Sequence, residues 1–156
     1  MNEQSSARPA KPATKKPTPL LDHYPHRERD IVRFGDLDAQ GHVNNAVFAT
    51  YFETGRVAMF RDPDLGIGVD NATYVLARQE IDFLRELHWP GEVVIGTGLA
   101  ELGRSSFVMA QALFSGDDCV ASGRATLVML DATTRRPRPL PTEAIARLER
   151  WKYSGG

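Results

Sequence analysis

The sequence predicts an α+β domain with a largely antiparallel sheet of about five strands, one long helix and a second helix near the C-terminus. Three observations carry this prediction: an initial extended stretch, an unusually apolar helical run after it, and four further extended stretches separated by turn residues. The chain has 156 residues, enough for one domain with its own hydrophobic core, so no second domain is required.

The N-terminal segment and the first strand precede the helix. Residues 1–22 are rich in Pro, Lys, Ala and Ser and hold too few apolar residues to offset the entropy of ordering them. We therefore expect a disordered tail over 1–22 and a folded domain over 23–156. From His26 the pattern predicts a strand that ends at Gly35 and leads into a loop containing Asp36 and Asp38.

The long helix is predicted over 46–60. Asn44 and Asn45 are favourable N-cap residues before it, and its apolar residues spread over most of the circumference, which is typical of a buried helix. Gly55 costs about 1 kcal/mol relative to alanine inside a helix. Its presence predicts that a neighbouring strand packs closely against the helix at this point.

The four extended stretches after the helix are predicted at 74–87, 92–101, 105–114 and 118–130. Small residues on one face of the 92–101 stretch leave room for the helix or for a ligand. After a proline-rich segment, Thr142 is positioned to cap a last helix over 143–151.

Charge and hydropathy exclude several classes of protein. The chain has 19 basic and 20 acidic residues, a net charge of −1, so nothing favours nucleic acid or an anionic membrane as a partner. No apolar run approaches the roughly 18 residues that a membrane helix needs, and the N-terminus lacks the apolar core of a signal peptide. We expect a cytoplasmic protein without nucleic-acid or membrane partners.

The cysteine and histidines give no sign of a disulfide or a metal site. Cys119 is the single cysteine, which excludes an internal disulfide, and its strand-like context predicts a buried, unreactive thiol. The four histidines form none of the spacings typical of zinc sites, so the sequence predicts no metal.

The stretch 33–56, RFGDLDAQGHVNNAVFATYFETGR, places two carboxylates beside a predicted helix start. Free amides and the helix dipole at an N-terminus stabilise negative charge. A carbonyl held there would be polarised while Asp38 attacked it or activated a water molecule. This layout is suited to acyl transfer, although a loop aspartate can also serve only to bind local amides.

The same stretch resembles the hotdog-fold acyl-CoA thioesterases of the 4-hydroxybenzoyl-CoA thioesterase type, whose motif is a strand, D-x-D-x-x-G, an HVNN-like helix start and a Y/F-E-x-x-R ending. The resemblance extends more loosely over 30–140. It implies a hotdog fold, in which a curved antiparallel five-stranded sheet wraps around one long central helix, here with an added C-terminal helix. It also implies an acyl-CoA thioester hydrolase that works as a homodimer or homotetramer, with no cofactor apart from the CoA of its substrate.

The resemblance assigns catalytic roles to matched positions. Asp38 is expected to be the nucleophile or general base, and the backbone amide of Asn45 the oxyanion donor, while Gly41 lets the thioester approach the chain. His42 would polarise a carbonyl, orient water or play a structural part. Glu53 is the alternative base, because a second branch of hotdog thioesterases takes its carboxylate from the helix; otherwise it would pair with a nearby arginine.

The substrate needs an apolar pocket for its acyl group and cations for its nucleotide phosphates. The turn after the 92–101 stretch resembles the family's G-R-S-S turn, and aromatic residues of the helix are candidates for the acyl pocket. The expected substrate contacts are Phe48, Phe52, Arg85, Arg104, Ser105 and Ser106.

Two alternatives to a hydrolase stay open. One is a non-hydrolytic hotdog protein that binds acyl-CoA or an acyl-carrier protein, with Asp38 purely structural. The other is a hotdog dehydratase, for which His42 is poorly placed in the matched motif. The absence of a Ser-His-Asp triad does not count against hydrolysis, because a thiolate leaves readily and a carboxylate with an oxyanion site can suffice. Aromatic, short-chain and long-chain acyl groups are all open.

Overall fold

The computed structural model describes residues 17–155. The greater part of the predicted tail, residues 1–16, lies outside the described residues. Residues 17–20 carry no regular structure and lead into a 3-10 turn at Leu21–His23. The carbonyl of His23 accepts a hydrogen bond of 3.0 Å from the amide of Ser154, so this first segment lies beside the C-terminal end of the chain.

Two α-helices and one five-stranded sheet make up the domain. Helix α1 spans Asn45–Arg61 and helix α2 spans Thr142–Glu149. The strands are β1 His26–Val32, β2 Ala72–Phe83, β3 Gly91–Leu102, β4 Ser106–Ser115 and β5 Asp118–Asp131.

The strands are all antiparallel to their neighbours and lie in the order β1-β3-β4-β5-β2. The chain leaves the sheet at one edge in β1, passes through α1 and returns at the opposite edge in β2. Helix α1 packs against β1, β3 and β4 of the curved sheet. This is a hotdog fold, and it confirms the predicted architecture. Between residues 17 and 155, neither helix combines the length and apolarity that crossing a bilayer requires.

Helix α1 is buried along most of its length, as the sequence predicted. Phe48, Tyr51, Phe52 and Met59 are each at most 3% exposed. Gly55 faces the sheet, and a Cβ atom at this position would lie 2.5 Å from Cγ2 of Ile95 and 2.9 Å from Oγ1 of Thr97, both in β3. Only glycine therefore allows the helix to approach so closely, which confirms the predicted packing.

Of the boundaries that differ from the sequence prediction, three have a clear local reason. Strand β1 ends at Val32 because residues 34–36 form a 3-10 turn, in which the Asp36 amide donates to the Arg33 carbonyl at 2.9 Å. Strand β2 ends at Phe83 rather than 87, because the next two amides both donate to the Val120 carbonyl. The predicted Thr142 cap is wrong, since α2 begins at that residue and follows Pro141.

Candidate active site

The loop between β1 and α1 is fixed at both ends. Asn44 occupies the N-cap position, where its Oδ1 accepts a hydrogen bond of 3.0 Å from the Ala46 amide, and its own amide donates to the Asp36 carbonyl at 2.9 Å. Helix α1 therefore begins at Asn45, one residue earlier than predicted. As the first helical residue, Asn45 has an N–H group with no acceptor inside the helix.

Asp38 is half-buried within this loop and its carboxylate has a defined orientation. Its Oδ1 accepts hydrogen bonds from the Gln40 amide at 2.8 Å and the His42 amide at 3.2 Å. Gly41, in the left-handed region with φ +80°, donates its amide to the Asp38 carbonyl at 3.1 Å. The second carboxylate oxygen, Oδ2, has no hydrogen-bond partner among residues 17–155.

Asp36 stabilises the loop rather than facing the site. Its Oδ2 accepts a hydrogen bond of 2.8 Å from the Arg33 amide and another of 2.9 Å from the Tyr51 hydroxyl. Burial raises the pKa of Tyr51, and the hydrogen bond to Asp36 raises it further, so the hydroxyl stays protonated and donates. These contacts give Asp36 a structural role in the loop.

A cavity of about 360 Å³ opens at the start of α1. The structure brings five of the sequence-predicted residues together in its wall, and six further residues complete the lining. The predicted residues are Asp38, His42, Asn45, Phe48 and Arg85, and the others are Gln40, Val43, Phe83, Leu84, Glu86 and Leu87.

The far wall of this cavity comes from the segment 84–87, which follows β2. The Val43 amide donates a hydrogen bond of 2.8 Å to the Leu87 carbonyl, which holds the segment against the loop before α1. Phe48 and Phe83 meet edge to face with ring centroids 5.2 Å apart. The sequence missed Leu84, Glu86 and Leu87 as lining residues because their pattern continues that of a strand.

Two residues expected at the site lie elsewhere on α1. Phe52 is fully buried in the core, where its carbonyl accepts a hydrogen bond of 2.8 Å from Gln111, so it does not line the cavity. Glu53 is exposed and lies eight residues after Asn45, roughly 12 Å along the helix axis. In this protomer, Glu53 is therefore separate from the Asp38 loop.

Arg56 and Arg78, the two candidate ion-pair partners of Glu53, bind other groups. Arg78 pairs with Glu80 at 2.8 Å, and Arg56 is buried and donates to Oε1 of Gln111 at 2.8 Å. Burial lowers the pKa of Arg56, and the nearby Glu53 carboxylate opposes that shift. Glu53 thus influences Arg56 electrostatically without forming an ion pair with it.

The turn that contains Arg104, Ser105 and Ser106 is at the opposite end of the sheet. It follows Leu102, which lies nine residues along β3 from Val93, a rise of roughly 30 Å. Val93 packs with cavity residues Val43 and Leu87. One protomer therefore does not bring this turn to the cavity.

Comparisons with known proteins agree with the fold. A family model described as the thioesterase-like superfamily matches residues 32–148. A thioesterase from Thermus thermophilus, solved in complex with coenzyme A and Zn, is 38% identical, with a TM-score of 0.71 over 80% of this chain and 98% of that one. The PA5185 protein of Pseudomonas aeruginosa PAO1 is 26% identical, with a TM-score of 0.78 over 90% of this chain and 100% of that one.

A curated relative is also similar over part of the chain. The uncharacterized protein YsmA of Bacillus subtilis (strain 168) is 31% identical over 78 residues, which are 50% of this chain and 53% of YsmA. The matched region thus spans about half the length of that relative.

Proposed function

This chain belongs to the thioesterase-like superfamily, and from that membership we propose that it is an acyl-CoA thioester hydrolase that releases a carboxylic acid and free CoA. The observation that carries the proposal is the cavity at the start of α1, which the Asp38 carboxylate and the first residue of the helix both line. A nucleophile or base and an oxyanion donor are the two groups that thioester hydrolysis needs.

Asp38 is the proposed nucleophile or general base. Two backbone amides hold its Oδ1, so the carboxylate is oriented before the substrate arrives. The other oxygen attacks the thioester carbonyl carbon directly or removes a proton from a water molecule that does so. In both cases, the carbon–sulfur bond breaks and the thiolate leaves as CoA; in the first, water then hydrolyses the acyl-aspartate.

The Asn45 amide is the proposed donor to the developing oxyanion. It is at the positive end of the α1 dipole and has no acceptor inside the helix. Preorganised donors of this kind contribute about 3–4 kcal/mol to transition-state stabilisation in other acyl-transfer enzymes. Protonation of the leaving group is less critical, since a thiolate is a stable anion near neutral pH.

The proposed substrate is bound through an apolar wall and exposed cations. Phe48 and Phe83 supply aromatic surface for the acyl group. Arg85 is exposed at the cavity, 3.4 Å from Asp118, and is a candidate to bind phosphate. The coenzyme A complex of the Thermus thioesterase supports CoA as the thiol carrier, and assays with aromatic and aliphatic acyl-CoAs distinguish an acyl group of the 4-hydroxybenzoyl type from the others.

We further propose a homodimer that pairs through β2. This strand is one edge of the sheet, and its exposed Leu76 would pack against a second copy. When β2 of one copy pairs antiparallel with β2 of the other, the strands of the second sheet run in the opposite direction to those of the first. The Arg104 turn of the second copy would then lie on the same side as the cavity of the first, which gives that turn a route to the CoA.

Thiol release from a panel of aromatic, short-chain and long-chain acyl-CoAs tests the proposal. We expect the wild type to hydrolyse at least one class, Asp38→Asn to lose about 100-fold or more in rate, and Glu53→Gln to remain active. Circular dichroism of each variant controls for folding. Loss of activity in Glu53→Gln alone would assign the reaction to the helix carboxylate instead.

A binding protein without hydrolytic activity is the second candidate. The two amide contacts to Asp38 Oδ1 favour it, because they are the contacts of a structural loop aspartate. Under this alternative, neither the wild type nor any variant releases thiol, while a non-hydrolysable acyl-CoA analogue binds tightly to all of them.

A further inference from the structure

A second group of side chains meets at the rim of the cavity. His42 comes from the loop before α1, whereas Glu86 and His88 come from the segment between β2 and β3. Their potential ligand atoms all lie within 4.8 Å of one another. We propose that His42, Glu86 and His88 bind a divalent transition-metal ion, with zinc as the best match.

The distances are those between ligands of one ion. Oε2 of Glu86 lies 3.4 Å from Nε2 of His42 and 3.6 Å from Nε2 of His88. Ligand atoms of a tetrahedral zinc site lie about 3.4 Å apart, because each is about 2.1 Å from the ion. Hydrogen bonds from nitrogen to oxygen are shorter, about 2.7–3.2 Å, so neither contact is a well-formed hydrogen bond.

The two imidazole rings are oriented so that both can reach the same ion. Their centroids lie 5.0 Å apart, and the ring planes are inclined at 81°. Both histidines direct Nε2 towards the same carboxylate oxygen of Glu86. Small rotations of these partly exposed side chains would bring the two nitrogens closer to each other and complete a triangular face around an ion.

The chemistry of these three groups selects the class of metal. Two imidazole nitrogens and one carboxylate oxygen form a known set of three zinc ligands, which leaves a fourth position for water or another ligand. Magnesium and calcium prefer oxygen ligands throughout, so two histidines disfavour them. The Glu86 and His88 side chains are 66% and 58% exposed, which gives an ion direct access from solvent.

The metal site is proposed independently of acyl-CoA hydrolysis, although His42 and Glu86 also line the cavity. The sequence predicted no metal because Glu86 and His88 are only two residues apart and their third partner is far away in the chain. The hydrogen bond between Val43 and Leu87, both adjacent to these ligands, is what brings the two segments together.

Zinc titration of the full chain tests the site. The protein is prepared without a histidine tag, stripped with a chelator and titrated with Zn²⁺ by calorimetry. We expect one ion per chain, and a loss of affinity of about tenfold or more in Glu86→Gln and in His88→Gln. Glu101→Gln is the matched control, because Glu101 is an exposed glutamate that pairs with Arg124 in β5; it should bind like the wild type.

A second measurement uses the wild type alone. Zn²⁺ should slow the modification of His42 and His88 by diethyl pyrocarbonate, followed by mass spectrometry of each residue. Unchanged modification of both residues would overturn the proposal. So would zinc affinity that is equal in the wild type, Glu86→Gln and His88→Gln, or the absence of saturable binding to the wild type.

Discussion

The hydroxyl of Tyr51 donates a 2.9 Å hydrogen bond to the Asp36 carboxylate, and this contact joins the buried face of α1 to the start of the candidate catalytic loop. Asp36 also accepts a hydrogen bond from the Arg33 amide at 2.8 Å. The loop that contains Asp38 is therefore held in its orientation by a residue on the buried face of α1, and not by solvent-exposed contacts alone.

Removing this hydroxyl should lower the stability of the domain. We expect Tyr51→Phe to reduce the free energy of unfolding by about 1.5–3 kcal/mol, since the bond lost is to a charged group. Urea denaturation measures the change. Tyr74→Phe is the control, because it removes a neutral hydrogen bond of 2.7 Å to the Ile67 carbonyl, for which about 0.5–1.5 kcal/mol is expected. Equal losses would contradict a special role for Asp36.

The close approach of α1 to β3 predicts that an added methyl group at Gly55 is harmful. Gly55→Ala gains up to about 1 kcal/mol of helix propensity, but its Cβ would collide with Ile95 and Thr97, and overpacking typically costs about 1–3 kcal/mol. We expect net destabilisation in urea. Gly35→Ala, where no heavy atom lies within 4 Å of the added carbon, should change stability by no more than about 0.5 kcal/mol. A Gly55→Ala variant more stable than the wild type would show that β3 shifts at little cost to accommodate the added methyl group.

Cys119 should make the free energy of unfolding fall as the pH rises in the alkaline range. Burial raises the pKa of this thiol to about 11, above its value in an unfolded chain, and the thiol donates to the Ala121 carbonyl at 3.4 Å. The neutral thiol is favoured in the folded state. Its contribution is therefore fully present below the unfolded pKa of about 8.5 and is lost as the pH rises through 11.

Cys119→Ala isolates this effect, because all other titrating groups are shared with the wild type. The wild type should lose up to about 1.4 kcal/mol per pH unit more than the variant within that window. Urea denaturation under reducing conditions at about pH 7.5 and pH 10, which lie on either side of the unfolded pKa, measures the difference. A constant difference between the two proteins would show that the thiol ionises normally.

The proposed dimer places Leu76, near the middle of β2, close to its copy in the second chain. We expect Leu76→Glu to shift the protein from dimer towards monomer, because two like charges would then face each other at the edge. Sedimentation velocity measures the distribution. Ile31→Glu is the control, since Ile31 is similarly exposed but lies on β1 at the other edge. Dissociation of the control alone would assign the interface to β1.

Much of the fold could be predicted because its determinants are local. The apolar circumference of the helix and the turn residues between strands placed α1 and the sheet within a few residues of their observed bounds. Asp38, His42, Asn45 and Phe48 meet in one cavity because they are neighbours in sequence around one helix start. The sequence therefore accounts for their meeting at one cavity, and their roles in catalysis and binding stay predictions.

The other half of the cavity wall depends on contacts between distant residues. Segment 84–87 departs from the strand because the Leu84 and Arg85 amides both donate to the Val120 carbonyl, and the Leu87 carbonyl then accepts from the Val43 amide. No local pattern distinguishes this segment from a continued strand. Phe52 has the same side chain and helical context as Phe48 and belongs to the same core cluster, yet only Phe48 lines the cavity, because Phe52 lies one turn further from the start of α1. The sequence pattern alone therefore cannot distinguish a cavity-lining residue from a core residue in these two places.

The order of the elements along the chain also affects how the protein is made. Helix α1 ends at Arg61, but the sheet that covers it is complete only after Asp131, and synthesis of the roughly 70 residues between them takes about 4–14 s. During this interval, β1 is the one strand packed against α1 that has already been made. Newly made chains are therefore expected to need protection from aggregation until β5 has been translated.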